Sequence, residues 1–169
     1  MEPQIVDKPP FTLIGKSLRV ATKDGENLRA IPQFWQECVQ DGTVDRLTAI
    51  SAKDALLGAV TVGVCTDFAP NMEEFTYMVA AESPADGDAP IGGFVELPVP
   101  AATWAVFDAV GAIPEAIQAV WGTIWSEFFA SGEYSHGHGP DLEIYPEGNP
   151  MQSDYHFSVW VPVIKAGQN

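Results

Sequence analysis

The tetrapeptide Ala30-Ile31-Pro32-Gln33 returns as Ala112-Ile113-Pro114-Glu115, 82 residues further along a chain of 169 residues. The same offset places Phe75 on Phe157. Because 82 residues is close to half of the chain and the matches keep their order, the sequence predicts an internal duplication.

Each half has the same order of secondary-structure signals. In the first half, extended segments lead to a helix that Pro32 opens and residues 41–42 (Asp-Gly) close, and strands follow at about 56–65 and 73–81. In the second half, an extended segment at 94–110 leads to a helix that begins at Pro114 and ends at residues 131–132 (Ser-Gly), and strands follow at 141–145 and 155–164. The sequence therefore predicts an α+β fold of duplicated β-α-β-β units related by a pseudo-two-fold axis.

The chain length is that of one domain, and 46% of the residues are hydrophobic, which is ample for a packed core. We expect a single domain with repeat one at about 1–82, a linker at about 83–92 and repeat two at about 93–169. The linker segment is rich in Pro, Asp, Ala and Gly and has no apolar periodicity.

The net charge is −15, and its distribution along the chain is uneven. Residues 54–164 contain no Lys or Arg, while sixteen of the 23 acidic residues lie there. Direct binding to nucleic acid or to an anionic membrane depends on Lys and Arg, so the composition argues against both. Either the acidity only keeps the protein soluble, or a cavity in this span prefers cationic ligands.

Other signals in the sequence are few. Cys38 and Cys65 lie in apolar contexts without a CxxC spacing, and no signal peptide or long apolar run is present, so we expect a soluble, cytoplasmic protein. His136 and His138 alternate with glycines in a segment that indicates a flexible, solvated loop, and no further ligand has a matching spacing. We therefore expect no metal and no cofactor.

Six short motifs, taken in order, resemble the GyrI-like small-molecule-binding domain, which is the effector-binding domain of AraC-type and multidrug-responsive transcription activators. The resemblance covers essentially the whole chain. Its motifs are Leu13-Ile14-Gly15, Ala30-Ile31-Pro32 leading to Trp35, Tyr77, Pro98 followed by Trp104-Ala105-Val106-Phe107, Trp125 before Ser131-Gly132-Glu133-Tyr134, and Asp141-Leu142-Glu143-Ile144-Tyr145.

The resemblance implies a ligand cleft between the two β-α-β-β units. In that cleft a glutamate on the last of these motifs, Glu143, would meet aromatic residues. From the residues alone the alternative is open, because Glu143 and Tyr145 alternate with Leu142 and Ile144 and would be solvated if the apolar pair faced the core. The predicted ligand-binding residues are Glu143, Tyr145, Trp35, Tyr77, Trp121, Trp125 and Trp160.

The function we expect is binding of lipophilic, cationic small molecules, in a sensor, sequestration or effector module that carries no DNA-binding domain of its own. Members of the resembled family also include hydrolases of strained electrophiles and gyrase inhibitors. In the first alternative Glu143 would be the catalytic residue, and in the second the chain would bind a protein partner. A homodimer formed through an exposed strand or the aromatic second half is also open.

Overall fold

The computed structural model describes residues 1–51, 55–83 and 92–167. The chain forms two compact units, which we call the first unit (Phe11–Val99) and the second unit (Met1–Pro10 with Pro100–Asn169). The predicted linker at about 83–92 falls largely outside the described residues, and the repeat boundaries given above stay a prediction. Within the described residues, no helix combines the length and the hydropathy that a membrane crossing requires.

The first unit is an antiparallel sheet with two helices on its core face. Its elements are β2 (Phe11–Ala21), a 3-10 turn (Lys23–Gly25), α1 (Glu26–Gln40), α2 (Thr43–Ile50), β3 (Val60–Thr66), β4 (Glu74–Glu82) and β5 (Val95–Val99). The strand order is β3-β4-β2-β5. Phe34 and Cys38 of α1 and Leu47 of α2 pack with Tyr77 and Val79 of β4 in one buried cluster.

The second unit repeats this plan. Its elements are β1 (Gln4–Lys8), β6 (Ala102–Val110), α3 (Glu115–Thr123), β7 (Tyr134–His136), β8 (Asp141–Pro146) and β9 (His156–Lys165). The strand order is β1-β6-β9-β8, with β7 paired to β9. Ile117 and Val120 of α3 pack on Phe107, Val159 and Val161 of the sheet.

The β-α-β-β order is therefore present twice, as β2-α1-β3-β4 and as β6-α3-β8-β9, and the predicted α+β class is confirmed. The short strands β1 and β5 are exchanged in sequence: β1 precedes β2 but pairs with β6, and β5 precedes β6 but pairs with β2. Each unit thus completes its sheet with a strand that the chain supplies next to the other repeat.

The first helix differs from its prediction at the start. Pro32 does not open α1 but is its seventh residue, because the helix already begins at Glu26, after Gly25 in the left-handed conformation (φ 69°). A proline inside a helix removes one backbone hydrogen bond, at a typical cost of about 3 kcal/mol. Burial of Phe34 and Cys38 on one face of the helix offsets that cost, since both lie in the core.

The second helix ends where the sequence predicts but changes form on the way. After α3 the chain makes a π-helical turn at Ile124–Phe128 and a 3-10 turn at Phe129–Ser131, and Gly132 closes it with φ 78°. Within the π-helical turn Ile124 is buried, while Trp125 is 48% exposed.

Candidate functional site

The strand β8 is buried on both faces. Leu142 and Ile144 lie in the core as expected, but Asp141 and Glu143 are only 2% and 6% exposed. The alternative in which Glu143 is a solvated surface residue is therefore wrong. A carboxylate at this depth needs hydrogen-bond donors, because removing it from water is costly.

Two aromatic side chains supply those donors to Glu143. Trp121 of α3 donates its indole Nε1–H to Oε2 at 2.8 Å, and Tyr145 donates its hydroxyl to Oε1 at 3.1 Å. Tyr145 lies two residues beyond Glu143 on β8, so the pleat of the strand places both on one face. The second unit thus brings together three of the predicted site residues, and each oxygen of the Glu143 carboxylate accepts a hydrogen bond from one of these two rings.

The first unit contains a neutral counterpart. Trp35 of α1 donates its Nε1–H to the hydroxyl of Tyr77 on β4 at 2.7 Å. Tyr77 is fully buried and Trp35 is half-buried. In both units, then, a helix tryptophan donates to a buried polar group of the sheet, but only the second unit has an ionisable carboxyl as the acceptor.

The remaining two predicted residues lie elsewhere in the second unit. Trp160 pairs with Leu142 across β8 and β9, so it lies on the sheet face opposite to Glu143. There its ring is 5.9 Å from Trp104 and 5.8 Å from the ammonium of Lys8. Trp125 stacks on His136, with ring centroids 5.8 Å apart and planes 11° from parallel.

The histidine segment differs from the predicted solvated loop. His136 ends the short strand β7, and its Nε2 lies 2.6 Å from Oδ1 of Asp141 while its Nδ1 lies 2.7 Å from the carbonyl oxygen of Gly137. Three side chains that could together hold a metal ion are found nowhere in the residues that the structure describes.

Burial and pairing act in opposite directions on the two groups of this pair. Burial lowers the pKa of His136, but the hydrogen bond and the charge attraction from Asp141, with the hydrogen bond to Gly137, raise it by more, so the net pKa is above its ordinary value. For Asp141 burial raises the pKa and outweighs the lowering effect of His136. Both shifts favour the state in which the pair retains a proton.

Sequence reasoning did not identify Asp141 and His136 as part of this region. A signal was present, because Asp141 and Glu143 are two positions apart on one strand and must therefore point to the same side. The glycines around His136 and His138 indicated a loop, so the sequence did not suggest that His136 contacts Asp141.

Basic residues are scarce in the unit that contains this region. The second unit holds ten acidic residues against Lys8 and Lys165, whereas the first unit holds thirteen acidic against six basic residues. These two lysines lie near the ends of the sequence, so residues 100–164 of the second unit contain no Lys or Arg. Such a balance favours cations over anions near Glu143.

Comparison with known proteins agrees with this fold. SAV2435, solved bound to tetraphenylphosphonium, is 25% identical, with a TM-score of 0.83 over 97% of this chain and 94% of that one. An integron cassette protein from the mobile metagenome of Vibrio cholerae is 15% identical, with a TM-score of 0.71 over 97% of each chain.

A third structure, described as a transcription regulation protein of Staphylococcus aureus MU50, is 23% identical, with a TM-score of 0.76 over 96% of this chain and 98% of that one. None of the curated proteins compared matches the sequence. The family model of the Cass2 integron-associated effector binding proteins matches residues 4–163, and the chain therefore belongs to this GyrI-like family.

Proposed function

We propose that this protein binds lipophilic cations and that Glu143 is the anionic anchor of the site. The observation that carries the proposal is the carboxylate itself, 6% exposed, held by Trp121 at 2.8 Å and by Tyr145 at 3.1 Å. Two neutral donors orient the carboxylate without cancelling its charge. A cation that approaches it gains an attraction that water screens poorly at this depth.

The rings that hold Glu143 also suit such a ligand. Trp and Tyr attract cations through their faces by about 0.5–2 kcal/mol each, and they bury apolar ligand surface. A delocalised cation needs few directional hydrogen bonds, so one site can accept several lipophilic cations of different shape. SAV2435 supports this chemistry, since it was solved with tetraphenylphosphonium and shares the fold at 25% identity.

Binding also requires movement of a side chain. A bulky cation cannot contact a carboxylate that is 6% exposed until Trp121 or Tyr145 turns aside. We therefore expect tryptophan fluorescence to report binding, because the indole of Trp121 loses its hydrogen bond to Glu143 or gains the cation as a neighbour.

The geometry favours an anchor over a catalytic base. A general base must direct an oxygen at the proton that it removes. Both oxygens of Glu143 are directed at side-chain donors. Turnover of a strained electrophile by the wild type and not by Glu143→Gln, measured by mass spectrometry, would contradict this assignment.

The test of the binding function is a fluorescence titration with tetraphenylphosphonium. We expect quenching at micromolar concentration for the wild type and an affinity at least about tenfold lower for Glu143→Gln, since a charge attraction of a few kcal/mol is lost. Glu147→Gln is the matched control, because it removes the same charge at an exposed position just beyond β8. It should bind within about twofold of the wild type.

A neutral molecule of similar shape, triphenylphosphine oxide, separates charge from hydrophobicity. It should bind weakly and equally to the wild type and to Glu143→Gln. If both proteins ignore tetraphenylphosphonium, or if Glu147→Gln weakens binding as much as Glu143→Gln, the assignment of Glu143 is wrong. Trp35, Tyr77, Trp125 and Trp160 stay predicted ligand contacts, to be tested by the same titration on Phe variants.

A further inference from the structure

The pair formed by His136 and Asp141 is the second buried polar group on the strand that carries Glu143. Asp141 is 2% exposed, and the side chain of His136 is 26% exposed. Nδ1 of His136 faces a carbonyl oxygen, which only accepts, so this nitrogen carries a hydrogen. The 2.6 Å contact between Nε2 and Oδ1 then needs one more proton, on either atom. With that proton the pair is neutral as a whole.

The position of the pair ties it to Glu143. Asp141 and Glu143 occupy alternate residues of β8, so their backbones are about 7 Å apart and their side chains share a face. The chain that covers this face contributes Trp121 to Glu143 and, one turn later, Trp125 to His136. One helical segment therefore covers both acidic groups.

We infer that His136 and Asp141 control how strongly the site at Glu143 binds cations, and that their neutral pair becomes an anion on losing its proton, so that cation affinity rises with pH. This inference rests on the proposed function. It assigns to His136 and Asp141 a role in setting the affinity for cations, and this role requires no contact with the ligand.

The sign follows from the charges. When His136 and Asp141 share the proton, their pair is neutral, and an ionised Glu143 carries the net negative charge of the three side chains. When the proton leaves, a second negative charge appears about 8 Å away, a distance estimated from the strand repeat. For an effective dielectric constant of about 45, which lies between the values for a protein surface and for bulk water, a charge at about this distance from the cation strengthens its binding by about fivefold. The raised pKa of His136 places the change above pH 6.5.

The surroundings of His136 leave Asp141 as its main electrostatic partner. On β9 the residue opposite His136 is Val163, and Lys165 is opposite Tyr134 instead. The covering helical segment presents the rings of Trp125 and Phe129 to His136, and its acid, Glu127, is exposed. Glu133 and His138, the neighbours in sequence, are exposed as well.

The experiment is a titration with tetraphenylphosphonium, whose own charge does not change with pH, at several values between pH 6 and pH 9. The wild type should bind about fivefold more tightly at the upper end. His136→Gln should show a flat profile at the high value, because Gln retains a donor for Asp141 and cannot titrate. Asp141→Asn should remain at pH 9 near the low affinity of the wild type at pH 6.

Proton release supplies a measurement without any substitution. Calorimetric titrations of the wild type near the midpoint, in two buffers of different ionisation enthalpy, should show that binding of the cation expels a fraction of a proton. No release, or a wild-type profile that is flat above pH 6.5, overturns the inference. So does a His136→Gln profile identical to that of the wild type, since the pH dependence would then come from another group.

The failure of the proposed function looks different. If the wild type does not bind tetraphenylphosphonium at any pH, the anchor at Glu143 is wrong and the control by His136 falls with it. If binding is strong and insensitive to pH, only the control is wrong. A purely structural role of the pair would change the melting temperature of both variants and leave the shape of the profile unchanged.

Discussion

Replacing Trp121 by Phe tests whether the bond to Glu143 is the charge-assisted contact that the site requires. The substitution retains an aromatic ring and removes the Nε1–H that lies 2.8 Å from Oε2. A hydrogen bond to a charged group contributes about 1.5–3 kcal/mol, more than the 0.5–1.5 kcal/mol, roughly, of a neutral one. With the smaller ring included, we expect Trp121→Phe to lower the free energy of unfolding by about 3 kcal/mol, or the melting temperature by about 6–12 °C.

A double-mutant cycle separates the bond from the ring. In the Glu143→Gln background the same Trp121→Phe change removes only a neutral hydrogen bond, so it should cost about 1–2 kcal/mol less than in the wild type. Trp35→Phe is the matched control, because that indole donates to the neutral hydroxyl of Tyr77 at 2.7 Å. It should resemble Trp121→Phe in the Gln background.

Urea and thermal unfolding followed by circular dichroism measure all of these variants. An interaction energy between Trp121 and Glu143 below about 0.3 kcal/mol, which is the level of independent sites, would refute the reasoning. Glu143 would then not be an ionised carboxylate that depends on Trp121, and the anchor assigned to it would lose its structural basis.

Three further predictions concern the fold. Gly15→Ala should destabilise by about 3 kcal/mol or more in urea unfolding, because a Cβ there would collide with the backbone oxygen of Val79. Gly122→Ala, with open space in the helix, should stabilise by about 0.5–1 kcal/mol, and equal effects of the two substitutions would contradict the contact at Gly15. The hydrogen bond from Lys16, and then those from Thr43, lower the pKa of Asp41. The contribution of Asp41 to stability is therefore present above about pH 4 and is lost as the pH falls. Asp41→Asn should flatten the decline of the melting temperature between pH 6 and pH 2, and an unchanged slope would argue against a stabilising role of Asp41. Glu82 accepts the backbone N–H groups of Leu56 and Leu57 at 3.2 and 2.9 Å, so Glu82→Gln should speed the hydrogen exchange of these two amides by about tenfold, with those of β4 unaffected.

Sequence reasoning reached the fold because the duplication repeats several weak signals in the same order. The strands at 141–146 and 156–165 and the closure of the second helix at Gly132 follow from alternation and from turn residues. The start of α1 and the existence of α2 did not follow. Local propensity reads Pro32 as a first turn, but α1 begins at Glu26, and packing of Phe34 in the core overrides that signal. Residues 41–42 do end α1, and α2 begins directly after them at Thr43 with Leu47 in the core.

The candidate site was predictable in part. Glu143, Tyr145 and Trp121 do come together, because strand alternation and a helix stripe fix which residues face one another. The solvated alternative for Glu143 could not be excluded from one strand, since burial of both faces depends on what packs above and below it. The environment of Trp125 could not be predicted either: it is 48% exposed and stacks on His136, a contact between segments that local patterns do not specify.

The two repeats differ in the group that accepts the hydrogen bond of the helix tryptophan. Both repeats place a helix tryptophan against a buried polar group of the sheet, so this contact belongs to the shared plan of the fold. In the first unit the acceptor is the neutral hydroxyl of Tyr77, which gives a lipophilic cation no charge to bind. In the second unit the acceptor is Glu143, and Asp141 is buried two residues away. An aromatic ring is present at this contact in both units, whereas the acceptor is a carboxylate at the contact in the second unit. The anchor that we propose therefore depends on Glu143 and not on the shared plan of the fold.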